Sequence, residues 1–484
     1  MEIIGSLILS LTQSILFYGK QIGISMLIFE VVCNGIILFV LNKKEKIQNK
    51  AGLWLMVPIV LLSSTYFIFA NRTFYVANIF VIFALNFIMY VILTNQKGTL
   101  TNYLYKTGML FTDTVGEWQD GLKLSEEVAN EHLSGRKKTV NVKKIAKSVL
   151  IVCVVVGIVL ILLSSADSIF ANLFSGIGSI FTHINKASVF KLILRIAIIV
   201  VVYFLFLSFI LKVQEEFEED EYKREVEVRD TFTIKMLLVT LNIVYFVFCF
   251  IQIQSLFAKI SIQDSFDYAN YARSGFFQLM FVSFINLAVI LISNRYNAKK
   301  ERSIKILNLM LVVFTIIIAI SSMYRMHMYE MEYGLTYLRM FVYIILITEI
   351  IAFIPIVKYI IDDKFDFMKW CFGICIGAYC VANLMNIENV IVSRNLTRES
   401  IRSIDYNYLS NIASEDSYII LEDKLQDQNI DLKEETAIEN ILINIKKNEK
   451  TLSWQEFNIS KMRIQKRRTN IRQMREETYN YDYE

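Results

Sequence analysis

Hydrophobic runs of membrane-crossing length recur along this chain, separated by charged loops. Clean examples are residues 51–70, 149–164, 196–211, 236–253, 276–293, 306–321 and 342–361. A helix rises ~1.5 Å per residue, so ~20 apolar residues cross a hydrocarbon core of ~30 Å. Lipid offers no partner to backbone N–H and C=O groups, so only helices or closed barrels can span it. Runs that are apolar throughout lack the alternation of a barrel strand. The expected fold is therefore all-α, a polytopic integral membrane helical bundle. Composition agrees: 55% of the residues are hydrophobic and the mean hydropathy is +0.45, more apolar than an ordinary soluble domain.

Ten spans are expected, at roughly 20–41, 51–70, 74–94, 148–165, 190–211, 233–256, 275–294, 305–323, 337–361 and 366–385. Residues 1–17 are apolar enough for a shorter eleventh element that spans, re-enters or lies at the interface. They lack the basic start and the small-residue cleavage site of a signal peptide. Pro58 and Pro355, the only prolines, both sit inside apolar runs and mark expected kinks. Lys and Arg set the orientation. The loops 42–50, 95–147, 212–232, 295–304 and 362–365, with their flanks, hold about two dozen Lys and Arg, and the alternate loops hold far fewer. The first set is read as cytoplasmic. The acidic stretch 215–230 does not alter this, because Asp and Glu contribute little to the rule. Residues 386–484 then lie outside the cytoplasm.

Four parts follow: N-terminal membrane helices (1–95), a cytoplasmic loop (96–147), a main membrane domain of seven spans (148–385) and an extracytoplasmic helical domain (386–484). Within the loop, Leu104, Phe111, Val115, Trp118 and Leu122 fall on one helical face. That helix either lies along the inner leaflet or packs under the bundle. Residues 136–147 carry six basic side chains, which serve as an orientation anchor or a site for anionic lipid. The tail 386–484 has no Gly, Pro or Cys and reads as helical. One helix is expected over 398–425, another over 434–448 with Ile438, Ile441, Leu442 and Ile445 on one face, and a third starting near Thr451–Ser453.

Ionisable residues inside spans are costly and are functional candidates by default. Glu30 and Glu349 lie near the middle of their spans, at similar depth, where sharing a site or a proton is one reading. Lys191 and Arg195 share a helix face and are available to pair with such a carboxylate. The bland alternative is a protonated Glu hydrogen-bonded to a neighbouring helix. No catalytic motif, phosphate loop or HExxH is present, so no catalytic residue and no cofactor is assigned. His132, His183 and His327 are scattered, and Cys371 and Cys375 have no third ligand type nearby, so no metal site is assigned either. All six cysteines fall within expected spans, which argues against a disulfide framework. Nothing points to nucleic acid. Three matches to the N-glycosylation pattern, at Asn71, Asn395 and Asn458, are read as chance.

The other loops are more specific. Asp167 follows the fourth span, Arg273 leads into the seventh, Arg325 and Tyr329 end the eighth, Arg339 begins the ninth, and Asn386 follows the tenth. Arginine suits a bidentate grip on phosphate or carboxylate. Arg273, Arg325 and Arg339 are expected to converge with Asp167 as counter-charge, with snorkelling to headgroups as the bland alternative.

Several strings carry a resemblance: SADSIF at 165–170, YANYARSGFFQL at 268–279, YRMHMYEMEYGLTYLR at 324–339, Asn386 to Arg398, DYNYL at 405–409 and WQEFNIS at 454–460. With these the chain resembles a bacterial polytopic membrane family catalogued as a domain of unknown function, number four-one-seven-three. It departs at Ile387 and at Ser417–Tyr418, where prolines are expected. The resemblance implies the architecture and implies no activity. The leading expectation is a non-enzymatic protein of a bacterial cell membrane that binds a ligand, lipid or envelope protein at its outer face. The rivals are a secondary transporter using Glu30 and Glu349, and a membrane enzyme acting on a lipid-linked substrate.

Overall fold

The computed structural model describes residues 1–71, 73–96, 98–116, 118–119, 121–125, 186–215, 231–257, 265–297, 301–398, 404–427, 430–447 and 452–465. All regular structure among the described residues is helical. The helices are α1 (Glu2–Phe17), α2 (Ile24–Lys43), α3 (Met56–Ile68, entered through a 3-10 turn Lys50–Leu55), α4 (Tyr75–Thr94) and α5 (Leu100–Gly116). They continue with α6 (Lys186–Lys212), α7 (Thr231–Phe257), α8 (Ser265–Arg295), α9 (Arg302–Tyr333), α10 (Tyr337–Ile361) and α11 (Phe367–Leu384). Four shorter ones close the chain: α12 (Ile387–Leu396), α13 (Tyr406–Ile412), α14 (Tyr418–Leu425) and α15 (Leu432–Lys447). Among the described residues nine helices are long and apolar enough to cross a membrane. They coincide with nine of the ten expected spans, and the expected span 148–165 lies outside the described residues. The protein is an all-α, multi-pass membrane protein.

The chain divides into two compact units. The first is Met1–Phe67, Val76–Glu218 and Leu452–Asn458; the second is Ile68–Tyr75, Glu219–Thr451 and Ile459–Glu484.

In the first unit α1 runs antiparallel to α2. Glu2 at the start of α1 pairs with Lys44 just past the end of α2, and the Phe17 and Phe29 rings meet edge-on at 5.4 Å. Sixteen residues make a rod of ~24 Å, so α1 accompanies α2 through most of its depth. Gly5 lets the two backbones approach, since a Cβ there would lie 2.9 Å from Ile36. Arg195 of α6 fastens the other end of α1: its Nε donates to Ser14 Oγ at 2.8 Å, and its guanidinium covers the Tyr18 ring at 5.4 Å. Arg195 is thus held by α1, and neither intramembrane carboxylate is among its described partners. On α5 the buried positions are Leu100, Tyr103, Leu110 and Thr114. Of the expected apolar stripe, Leu104, Phe111 and Val115 are exposed, while Trp118 meets the Phe204 ring at 6.4 Å and Leu122 is buried. Pro58 sits in the first turn of α3, where its missing N–H costs little; Pro355 lies inside α10.

The second unit is apolar on its outer faces and buries small polar side chains among apolar ones, as helix packing in lipid favours. Phe246, Phe250, Val313 and Ile320 are exposed, while Ser283, Asn286, Asn308 and Thr315 are fully buried. α8 and α9 form an antiparallel hairpin bridged by polar rungs. Ser293 donates to Asn308 at 2.7 Å, and Asn286 donates to Thr315 at 3.1 Å. On each helix the rungs are seven residues apart, which keeps them on one seam.

The C-terminal helices have their own core, built from Val392, Leu396, Leu409, Tyr418, Leu421, Ile438, Ile441, Leu442 and Ile445. In place of one helix over 398–425 the chain makes α13, a bend and α14. The bend is held by Glu388, which is fully buried. Its carboxylate accepts from Ser414 N (2.6 Å), Ser414 Oγ (2.7 Å) and Ser417 Oγ (2.7 Å). Asp416 beside it accepts from Ala70 N and Asn71 N at 3.0 Å, so the bend also fixes the α3–α4 turn. Ile387 and Tyr418 each begin a helix, a position where proline is well tolerated. The expected third start at 451–453 is a short 3-10 turn, Trp454–Glu456, closed by a capping box between Ser453 and Glu456.

Candidate functional site

α9 is too long for the membrane. Its 32 residues span ~48 Å against a hydrocarbon thickness of ~30 Å. The turns from Tyr324 to Tyr333 therefore rise beyond the apolar layer, and they carry the aromatic and charged string. Gly334 ends the helix at φ +81, and a Cβ there would lie 2.5 Å from Asn395 Oδ1. Only glycine suits both demands. Asn395 then brackets Leu335, accepting from its N–H at 2.7 Å and donating to its carbonyl at 2.8 Å. α12 is thereby locked onto the α9–α10 turn. Asn386, with φ 47, caps α12 and accepts from Asn389 N, so its role here is to turn the chain.

A charged cluster forms where α9, α10 and α12 meet. Glu330 Oε2 accepts from the Tyr343 hydroxyl at 2.8 Å, and Glu330 Oε1 accepts from Arg394 Nε at 3.3 Å. His327 Nδ1 lies 3.8 Å from the same carboxylate. Arg339 lies over the Tyr329 ring at 4.2 Å and donates to the Gly334 carbonyl. Tyr329 in turn packs on Tyr333, with centroids 4.7 Å apart. Arg398 donates to the Glu332 carbonyl at 2.9 Å. Burial, with Arg339 as a like-charged neighbour, lowers its pKa from the ordinary arginine value, while Glu332 opposes the shift. Three arginines and two glutamates thus surround one turn, an excess of one positive charge with histidine neutral.

An open cleft of ≈ 690 Å³ descends from this cluster between α9 and α10. Its mouth is Tyr324, His327, Glu330, Tyr343 and Arg394, and its walls are Ile320, Met323, Ile347, Ile350 and Ile351. Volume and lining are those of a site for a small apolar or amphiphilic molecule.

The residues singled out in the sequence are distributed as follows. Arg339 and Tyr329 come together. Arg325 binds elsewhere, its Nη2 donating to Gln252 of α7 at 3.1 Å, an oxygen that also accepts from Ser321. Asp167 and the basic segment 136–147 lie outside the described residues. Arg273 falls within α8, and its side chain is likewise outside the description. Glu30 belongs to the first unit, where it accepts from Asn34 at 3.2 Å and Asn86 at 2.8 Å; Tyr90 donates to Asn34 at 2.7 Å. Glu349 belongs to the second unit, where Ser283 donates to Oε2 at 2.7 Å and Oε1 is buried without a hydrogen-bond partner among the described residues. Glu330, Tyr343 and Arg394 were not singled out. Glu330 and Arg394 fall inside the strings that carry the family resemblance, but they are 64 residues apart, and nothing local in the sequence pairs them. Among the described residues no group of three or more His, Cys, Asp or Glu side chains is placed to hold a metal ion.

Fold and site together define a polytopic α-helical membrane protein with a helical cap over one end of its second unit. The chain belongs to the family described as Domain of unknown function (DUF4153), whose model matches residues 56–423. The resemblance to a domain-of-unknown-function family therefore holds, and its number is corrected from four-one-seven-three. No curated protein and no solved structure matches the chain.

Proposed function

We propose that this is a non-enzymatic protein of a bacterial cell membrane that binds an anionic ligand where α9, α10 and α12 meet, on the extracytoplasmic side. The observation that carries the reading is the gathering of Arg339, Arg394 and Arg398 around one turn, against only Glu330 and Glu332. Guanidinium groups are matched to phosphate or carboxylate, and Arg394 stands at the edge of the apolar cleft. Asp167 and Arg273 remain part of the proposed outer-face site, and the four-part division of the chain, with 386–484 outside, belongs to the same reading. Its orientation rests on the Lys and Arg asymmetry of the loops.

Two measurements test it. In a cysteine-free background, an impermeant maleimide applied to intact cells should label Asn429→Cys and spare Asn141→Cys; the reverse pattern overturns the orientation. For the ligand, phosphate should raise the thermal midpoint of the purified protein, and Arg339→Gln with Arg394→Gln should abolish the rise. A rise that survives both substitutions moves the anion elsewhere. A second reading, secondary transport, is favoured by the orphaned Oε1 of Glu349. Substrate flux in proteoliposomes that is lost in Glu349→Gln would support it.

A further inference from the structure

We infer that the cleft between α9 and α10 holds one acyl chain of an anionic phospholipid drawn from the surrounding bilayer, with its phosphate at Arg394. This rests on the anion-binding reading above and adds the chain, the headgroup class and the source.

Depth supports the assignment. From Glu330 to Ile320 the cleft follows ten residues of α9, and from Tyr343 to Ile351 eight residues of α10. At ~1.5 Å per residue these are ~12–15 Å, about half of a ~30 Å hydrocarbon core. The upper part of the cleft, Tyr324 to Glu330, therefore lies at headgroup depth, and its lower part, at Ile320, Ile347 and Ile351, enters the acyl layer of a single leaflet. Its walls are aliphatic, and Ile320, Ile347 and Ile351 are themselves exposed, so the cleft opens sideways toward lipid, the direction from which a membrane lipid enters.

The mouth supplies the charge selection. Arg394 lines it with 51% of its side chain exposed, and His327 with 50%. Glu330 is only 10% exposed and already accepts from Tyr343 and Arg394. Glu330, the glutamate at the mouth, is thus engaged and sheltered, while the Arg394 guanidinium faces outward. A phosphodiester completes this arrangement; a choline headgroup adds a second cation to a site that has an excess of one. Contacts at the mouth are charge-assisted, so a preference of about tenfold or more for the anionic lipid is expected.

Native mass spectrometry of the full chain, extracted from phosphatidylcholine bilayers doped with phosphatidylglycerol, tests the inference. The expected result is one phosphatidylglycerol retained per chain, with retention reduced about tenfold by Arg394→Gln. Ile347→Trp, which fills the cleft, should reduce it comparably. Val313→Trp, on the exposed face of α9, should leave it unchanged and serves as the folding control. Glycerol phosphate, which has the headgroup without the chain, should not compete. Retention that is sensitive to Arg394→Gln but unaffected by Ile347→Trp, with competition by glycerol phosphate, overturns the acyl-chain assignment and leaves the anion site standing. Retention indifferent to Arg394→Gln, or equal for both lipids, means annular lipid only and overturns this inference whatever phosphate does to the thermal midpoint.

Discussion

Glu30 and Glu349 look equivalent in the sequence, each a single carboxyl deep in a long apolar helix. Their surroundings differ. In the first unit Glu30 accepts from two asparagines, one of them held by a tyrosine, in a network that ties α2 to α4, with Asn86 Oδ1 left without a described partner. In the second, Glu349 takes one hydroxyl from α8 and keeps a buried oxygen without a described partner. The first arrangement is glue; the second leaves acceptor capacity unused. An acid inside a membrane helix is therefore an ambiguous sign, and the number of donors around it decides what it does.

Glu388 gives that comparison an upper reference, because three donors converge on it in the cap. Glu388→Ala strands both Ser414 donors, leaves Ser417 Oγ only the Ser414 carbonyl and opens a void, and should cost about 4 kcal/mol. The measurement is the thermal midpoint of the purified protein, and an unchanged midpoint would mean that donor count is a poor guide. The same carboxyl should make stability depend on pH. Burial, partly opposed by the Ser417 and Ser414 hydrogen bonds, pushes its pKa from 4.5 up to about 7. The folded state then holds the proton more tightly than the unfolded chain. Its stabilising contribution is complete below pH 4.5 and is lost as pH rises through about 7, on the order of 3 kcal/mol in all. Glu388→Gln should flatten this slope in denaturation profiles; a slope that persists belongs to another group.

Smaller effects are expected inside the membrane. Glu30→Leu removes two hydrogen bonds, but Asn34 and Asn86 each keep a backbone acceptor. Bonds of this kind average ~0.6 kcal/mol in membranes, so a loss of about 1 kcal/mol is expected. Glu349→Leu should fall within about 0.5 kcal/mol of the parent or raise stability, because it removes an unpaired buried oxygen along with one bond. Equal losses at the two positions, read as unfolding midpoints in the same detergent, would erase the distinction between them.

Much of the architecture was legible because a lipid solvent leaves few choices. Continuous apolar runs located nine described spans, and the helical spacing of Ile438, Ile441, Leu442 and Ile445 named four buried positions of the cap. The misreadings came from long-range contacts. The helix expected over 398–425 is broken because Glu388, more than twenty residues upstream, holds the bend. The outward stripe on α5 is apolar for a reason that periodicity alone cannot separate from core packing. At the site, Arg339 lies over Tyr329, whereas Arg325, expected to join Arg339, reaches Gln252 of α7. Glu330 and Arg394 were passed over, since each alone resembles a solvated charge on a helix end.

The segment 452–458 bears on how the protein is made. It belongs to the first unit, yet its contacts are with the beginning of the chain. Gln21 N donates to Glu456 Oε1 at 2.7 Å, 435 residues away, and Ile24 N donates to the Phe457 carbonyl. The fit is close enough that a Cβ on Gly23 would lie 2.6 Å from the Glu456 backbone. During synthesis the start of α2 therefore waits for these acceptors until residues 452–458 have left the ribosome. Arrival of this distant segment is written into the start of α2, and a product stopped before Leu452 should insert its spans and still be cleared faster than one that carries residues 452–458 in a pulse-chase experiment.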